Sequence, residues 1–178
     1  MGCASTRTVT DTPRSSTEQL LVSEAIERAL EGLDWPTLEG VAVAVEVLAL
    51  GEADAPYLQA AAEARVRSLG ARVTAREDAE MVLGLRAGVL GTTSQHSSFG
   101  VPSIPLLVGA TPQLDLVRVL RRSGYAKLRL LAWDATGAAM AASPPASAHT
   151  RSDIVSVLFL VFHRGNVDPE GDGEVDVD

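Results

Sequence analysis

The chain contains a single cysteine, Cys3, among its 178 residues. One cysteine excludes an intramolecular disulfide, the usual staple of small exported domains. No pair of His, Cys or carboxylate residues shows the spacing typical of a structural zinc site. We therefore expect neither a structural metal nor a cofactor.

Aromatic residues are also scarce, at 4% of the chain, so the core must be built from Val, Leu and Ala. The most apolar run is "DIVSVLFLVFH", residues 153–163. A membrane-spanning helix needs about 20 apolar residues, so this run is too short to cross a bilayer. It predicts a buried core strand or a short buried helix.

Basic residues are outnumbered, with 15 Lys and Arg against 23 Asp and Glu, a formal net charge of -8. Nucleic-acid binding requires clustered Lys and Arg, so this charge argues against a nucleic-acid partner. The remaining composition, 46% hydrophobic and 21% charged, is that of a globular protein.

Hydrophobic periodicity predicts a helix over residues 16–31, starting with a capping box between Ser15 and Glu18 and ending at Gly32. "EGVAVAVEVLALG", residues 39–51, predicts a strand that is apolar on both faces. A second helix is predicted between Asp54 and Gly70.

The later part of the chain reads mainly as strands. Alternating apolar residues predict strands that begin near residue 81 and near residue 125, and "DATG" at residues 134–137 predicts a hairpin turn. Residues 91–105 are rich in Gly, Ser, Thr and Pro and predict a loop or an irregular edge.

Together these patterns predict an α+β fold: a mixed, mainly antiparallel sheet with two N-terminal helices packed on it. The expected order is helix, strand, helix, strand and then the hairpin. We expect residues 1–15 to be a tether for lipid attachment, residues 16–165 to form a single α+β domain, and residues 166–178 to be an acidic disordered tail.

The opening "MGCAST" bears on location. "GC" before a small, polar tether resembles the end of a bacterial lipobox, whose cysteine becomes the lipidated first residue of the mature protein. A complete signal peptide would need a basic and an apolar region before Cys3. On this interpretation Met1 lies inside a signal peptide, or the signal was trimmed.

The body of the chain resembles an uncharacterised family of bacterial lipoproteins. The similar stretches span residues 17–137 and are "TEQLLVSEAIERAL", "LRAGVLGTTS", "FGVPSIPLL", "TPQLDLVR" and "GYAKLRLLAWDATG". The resemblance implies lipid attachment at Cys3. Because Ala4 rather than aspartate follows the cysteine, it also implies sorting to the outer membrane, on the periplasmic side.

The topology and the "D-x-T-G" turn are also distantly similar to periplasmic domains of curli-secretion-type lipoproteins and to lipoprotein activators of cell-wall synthases. This similarity implies a domain that binds or scaffolds an envelope protein and is not an enzyme. A different interpretation of the opening is N-myristoylation at Gly2, with Cys3 available for palmitate. A third is an accidental cysteine in a disordered tail.

Three further features of the sequence are candidate sites. His96 lies among Ser94, Ser97 and Ser98, which suggests a small Ser/His hydrolase with Asp115 or Asp153 as orienter, although no G-x-S-x-G motif is present. A solvated loop histidine accounts for His96 better.

The second feature is a basic cluster, Arg118, Arg121 and Arg122, which is a candidate for binding an acidic partner or lipid headgroups, or is simply a solvated edge. The third is "DPEGDG" at residues 168–173, which could associate weakly with calcium but lacks the rest of an EF-hand. The edge strands of such a fold could also accept a partner strand.

Overall fold

The computed structural model describes residues 3–8, 15–49, 53–101, 105–106, 109–110 and 114–167. Within them are the two α-helices α1 (Ser16–Glu31) and α2 (Ala55–Ser68), and a short 3₁₀ turn at Arg76–Asp78. The strands, in chain order, are β1 (Cys3–Thr8), β2 (Ala42–Ala49), β3 (Arg72–Val73), β4 (Met81–Val101), β5 (Pro105–Leu106), β6 (Gly109–Ala110), β7 (Leu114–Asp134), β8 (Ala139–Ala142), β9 (Ala146–Val157) and β10 (Leu160–Gly165).

The main sheet has the strand order β10-β9-β7-β4-β2-β3, with β1 paired to β4 and β8 paired to β7. Strand β2 runs parallel to both β3 and β4. The pairs β1–β4, β7–β8 and β9–β10 are antiparallel. The predicted α+β class, with a mixed and largely antiparallel sheet, is therefore confirmed.

The chain divides into two compact units. The first, called here the strand unit, takes its described residues from Met1–Leu21, Thr92–Gly124 and Thr150–Asp178. The second, the helical unit, consists of Val22–Gly91 and Tyr125–His149.

The start of α1 is set by the predicted capping box. Glu18 Oε2 accepts a hydrogen bond from the Ser15 amide at 3.0 Å, and Ser15 Oγ accepts one from the Glu18 amide at 3.4 Å. These contacts satisfy backbone donors that the first turn of a helix leaves unpaired. The helix bounds agree with the prediction, but Gly32 lacks the positive φ of an αL cap.

The core of the helical unit is built from small aliphatic side chains, as the scarcity of aromatics predicts. The predicted stripe of α1 and the stripe of α2 are buried in one cluster with alternate residues of β4 and β7. The largest fully buried side chains of this unit are Ile26, Leu38, Leu58, Leu83, Leu85 and Leu128.

Gly84 makes room for an aromatic ring on β7. A Cβ atom at this position would run into the indole of Trp133, because β4 and β7 are neighbours there. Trp133 packs instead against Ala44, Ala79 and Val82, which form a second small apolar cluster of the helical unit.

In the strand unit, a buried hydroxyl holds the first turns of α1. Thr150 Oγ1 donates a hydrogen bond to the Leu21 carbonyl at 2.6 Å, and Thr150 is fully buried. Gly124 lies beside this contact, where a Cβ atom would sit 2.5 Å from Thr150 Oγ1 and closer still to the Leu21 oxygen. The close approach of two backbones therefore requires glycine at residue 124.

The loop or irregular edge predicted for residues 91–105 is wrong over residues 91–101, which continue β4 to Val101. Residues 94–99 of β4 pair with β1, so that Thr8 lies opposite Ser94 and Cys3 lies opposite Phe99. Gly is depleted in strands, but backbone hydrogen bonds to distant segments override this local preference.

The prediction of a buried element over residues 153–163 is also wrong. Strands β9 and β10 meet there in a hairpin, and large apolar side chains of residues 157–162 are exposed. Hydrophobicity alone indicates burial, but β10 is at the edge of the sheet and nothing in the described residues covers it.

We predict that Gly124→Ala destabilises the protein by about 2–3 kcal/mol, because the new methyl group overpacks the contact between Thr150 and Leu21. Urea unfolding followed by circular dichroism measures this change. Gly91→Ala is the matched control, since a Cβ atom at residue 91 would meet nothing within 4 Å. Equal stability of the two variants would contradict the prediction.

Candidate functional site

The residues singled out from the sequence are concentrated in the strand unit. Cys3 begins β1, and its backbone pairs with that of Phe99 on β4. Gly2 and the acidic segment 168–173 lie outside the described residues. The expected boundaries at residues 15 and 166 stay predictions, although residues 3–8 of the expected tether form β1.

The three arginines of the basic cluster do not share one face. Arg118 is exposed, and its Nε donates a hydrogen bond to His96 Nε2 at 2.6 Å. Arg121 reaches Asp153 Oδ1 at 3.3 Å. Since successive side chains of a strand point to opposite faces, Arg121 and Arg122 diverge. The three arginines, although close in sequence, therefore do not form a single basic patch.

His96 is engaged by an arginine in this structure. Its Nε2 accepts from Arg118, and Ser97 lies on the opposite face of β4, where it lines a depression with Gln95, Val119 and Arg121. This depression has a volume of about 240 Å³. Its amide, hydroxyl and guanidinium groups can hydrogen-bond a small polar group.

Asp153 is the centre of an ion-pair network that the sequence does not predict. Its side chain is nearly buried, and besides Arg121 it accepts a 2.8 Å hydrogen bond from Arg151 Nε. Arg151 lies two residues away on β9 and so shares its face. Asp153 and both arginines lie on strands, and Arg121 is distant from Asp153 in sequence. No short-range spacing in the sequence therefore indicates the network.

The network shifts the titration of Asp153. The hydrogen bond from Arg151, together with the charges of Arg151 and Arg121, holds the pKa of the Asp153 carboxyl below its ordinary value, although desolvation acts in the opposite direction. A carboxylate paired in this way stabilises the fold and is not poised to accept a proton near neutral pH.

Two groups outside this network also have shifted pKa values, and both belong to structural contacts. Desolvation and the 2.6 Å hydrogen bond to Glu27 raise the pKa of Tyr57 to about 12. At the predicted hairpin turn, hydrogen bonds from Thr136 and Ala138 lower the pKa of Asp134. Gly137 has the positive φ that was expected of it, 86°.

The remaining histidines are both exposed. The ring of His149 lies 4.8 Å from that of Tyr125, centroid to centroid, in a tilted arrangement. His163 is on β10. Among the residues that the structure describes, no group of three or more His, Cys, Asp or Glu side chains could hold a metal ion.

The most exposed apolar surface is the tip of the β9–β10 hairpin, called here the apolar tip and defined as residues 157–162. Leu158 and Phe159 form its two-residue turn, with 61% and 86% of their surfaces exposed. Leu158 has a φ of 55°, in the left-handed region that Gly, Asn and Asp prefer. No Gly or Asn marks this turn, so the sequence carries no local signal for it.

None of the described helices is long and apolar enough to cross a membrane. In the described residues of the strand unit, the apolar tip contains the most exposed large apolar side chains. The geometry offers two kinds of interaction: polar contacts around Arg118 and Arg121, and apolar contacts at the tip.

We predict that Asp153→Asn destabilises the protein by about 1–2 kcal/mol at pH 7, because both arginines lose their charged acceptor. The lowered pKa means that this stabilisation is present above the unfolded-state pKa of about 3.9 and is lost as pH falls through the folded-state value. Urea unfolding at pH 7 and at pH 3 should show the wild type and the variant converging at the lower pH.

The exposed Asp34→Asn variant is the control for this experiment. It should match the wild type at neutral pH. A difference between wild type and Asp153→Asn that persists unchanged at pH 3 would exclude the network as its cause.

No protein-family model matches the chain, and no curated protein matches it.

Proposed function

We propose that this chain is a lipoprotein of the bacterial cell envelope, anchored through a lipid on Cys3 to the outer membrane and facing the periplasm. Its role there is to bind or scaffold another envelope component, without catalysis. No cofactor and no nucleic acid takes part in this role.

The exposed edge strand β10 is the observation that best supports a binding role. It ends the strand order of the sheet, and all six of its residues are exposed. An edge strand presents unpaired backbone donors and acceptors to which another strand can add. A protein partner from the envelope could therefore extend the sheet along residues 163–165 of β10.

The titratable groups also favour binding over catalysis. Active sites concentrate groups with shifted pKa values in a cleft. Here the shifted groups Tyr57, Asp134 and Asp153 belong to a helix–helix contact, a turn and an ion pair. Arg118, Arg121 and Arg122 remain the candidate partner-binding residues. Arg118 contacts the partly buried His96, whereas Arg121 contacts the buried carboxylate of Asp153.

We also propose that the two helices form one layer on the sheet. The burial of α1 and α2 residues in one cluster with Leu83 and Leu128 supports this arrangement. Such a layer would leave the opposite face and the edge strands for partners.

The location of Cys3 supports the anchor. Cys3 begins β1, which pairs with β4. Acyl chains on Cys3 would therefore attach the lipid close to the strand unit. Two or three acyl chains, at about 0.8 kcal/mol per buried CH₂ group, make dissociation from a bilayer negligible.

We predict that Cys3→Ala releases the protein from carbonate-washed membranes into the soluble fraction, because the wash removes proteins held without a lipid. Fractionation of cells that express the chain behind a complete lipoprotein signal measures the distribution by immunoblot. A separate comparison expresses the chain without an added signal in a myristoylating host. Loss of anchoring in Gly2→Ala, with Cys3 intact, would there favour N-myristoylation. Cys3→Ala that stays in the pellet after a carbonate wash would contradict the anchor.

A further inference from the structure

We propose that the apolar tip inserts into the lipid bilayer as a second, non-covalent attachment beside the lipidated Cys3. The choice of a lipid surface as the occupant rests on the anchor proposed above. Three features of the strand unit support the insertion: the placement of Cys3 and the tip on the sheet, the conformation of the turn, and the basic residues that follow it.

Cys3 and the apolar tip lie at the same end of the sheet in the strand unit. Cys3 pairs with Phe99 of β4. On β7, the neighbour of β4, Arg118 contacts His96, and two residues earlier the Leu116 carbonyl accepts a 2.8 Å hydrogen bond from the Leu158 amide.

Strand β7 runs antiparallel to β4. Gly84 lies beside Trp133 and Gly88 beside Lys127, so residue numbers fall along β7 as they rise along β4. Leu116 is therefore close to residue 98 on β4, next to the residue that pairs with Cys3.

The row from β1 through β4 and β7 to the hairpin thus crosses three strand spacings, about 15 Å. Acyl chains on Cys3 would hold this end of the sheet at the membrane surface. The apolar tip would then face the same surface, and exposed Phe99 and Val101 at the end of β4 would extend the apolar area.

The turn itself is costly for a water-exposed hairpin. Asn and Gly are the favoured residues where φ is positive, whereas Leu158 adopts a φ of 55° and Phe159 is 86% exposed. Local strain combined with maximal apolar exposure is typical of a functional contact. Insertion into a bilayer would remove the exposed apolar side chains of the tip from water.

Basic groups follow the tip on its own strand and on β7. His163 and Arg164 come directly after it and are exposed, and Arg118 is exposed two residues beyond Leu116. Basic side chains behind an apolar tip can reach the headgroups of anionic phospholipids. Asp115, partly buried, is the acidic residue beside Leu116.

The test uses full-length chain with Cys3→Ser, which carries no thiol and no acyl group. Sedimentation with vesicles of equal parts phosphatidylethanolamine and phosphatidylglycerol measures binding by the tip alone. We expect this chain to sediment with the vesicles, and to bind less to vesicles of phosphatidylcholine.

Adding Leu158→Asn and Phe159→Gly should lower the partition coefficient about tenfold or more, because two large apolar side chains leave the membrane contact. Asn suits the left-handed φ at residue 158 better than Leu does, so thermal unfolding should show that the variant stays folded. The matched control adds Leu48→Asn and Met140→Asn, two exposed apolar positions of the helical unit, and should leave binding unchanged.

Insertion of the tip into the bilayer is measured separately with an environment-sensitive fluorophore. Because Cys3 is the sole cysteine, Cys3→Ser with Phe159→Cys gives a single labelling position at the tip. We expect its emission to shift to the blue on vesicles, and a label at Met140→Cys to stay unchanged.

Three results would overturn the inference. The Asn-Gly variant could bind vesicles as well as its parent, or the parent could fail to bind at all. Alternatively, the parent could be a dimer that the Asn-Gly variant converts to a monomer, with no blue shift on vesicles, which would assign the tip to a second copy of the chain.

These results are separable from failure of the proposed function. Vesicle binding is measured without acylation, whereas the anchor is tested by the location of Cys3→Ala in cells. Vesicle binding with no effect of Cys3→Ala would reject the anchor and leave the tip as the membrane contact, and the reverse pattern would reject the tip.

Discussion

The pairing of β4 with three other strands is the constraint on which the rest of this structure depends. Its early residues pair in parallel with β2, and residues 94–99 pair antiparallel with β1. Its other edge adjoins β7. These hydrogen bonds turn a stretch rich in Gly, Ser and Thr into a strand, and they place Cys3 opposite Phe99.

The two units use different physical means to become compact. The helical unit buries aliphatic side chains of α1, α2, β2, β4 and β7 in one cluster, and Gly84 gives space to Trp133. The strand unit relies more on polar contacts, namely the Thr150–Leu21 hydrogen bond and the Asp153 ion pairs. Polar groups that are buried must be paired, so both contacts are sensitive to single substitutions.

The apolar tip differs from both units' interiors, because it exposes large apolar side chains of the kind that are buried elsewhere in the protein. A hairpin with Leu and Phe at its turn is less stable in water than one with Asn and Gly. Local choices that work against stability are typical of functional contacts. Because the tip lies near Cys3, the proposed lipid anchor and the proposed bilayer contact are at the same end of the sheet.

Local pattern alone determined much of this protein: the bounds of α1, the buried stripes of both helices, the capping box at Ser15, the turn at Gly137 and the α+β class. Periodicity and capping act over a few residues, so they can be deduced without knowing the rest of the chain. Only tertiary structure decided that residues 91–101 form a strand, that residues 157–162 are exposed, and that Arg121 meets Asp153. Each of these depends on partners distant in sequence, and hydrophobicity, composition and spacing carry no information about which distant segment will be the partner.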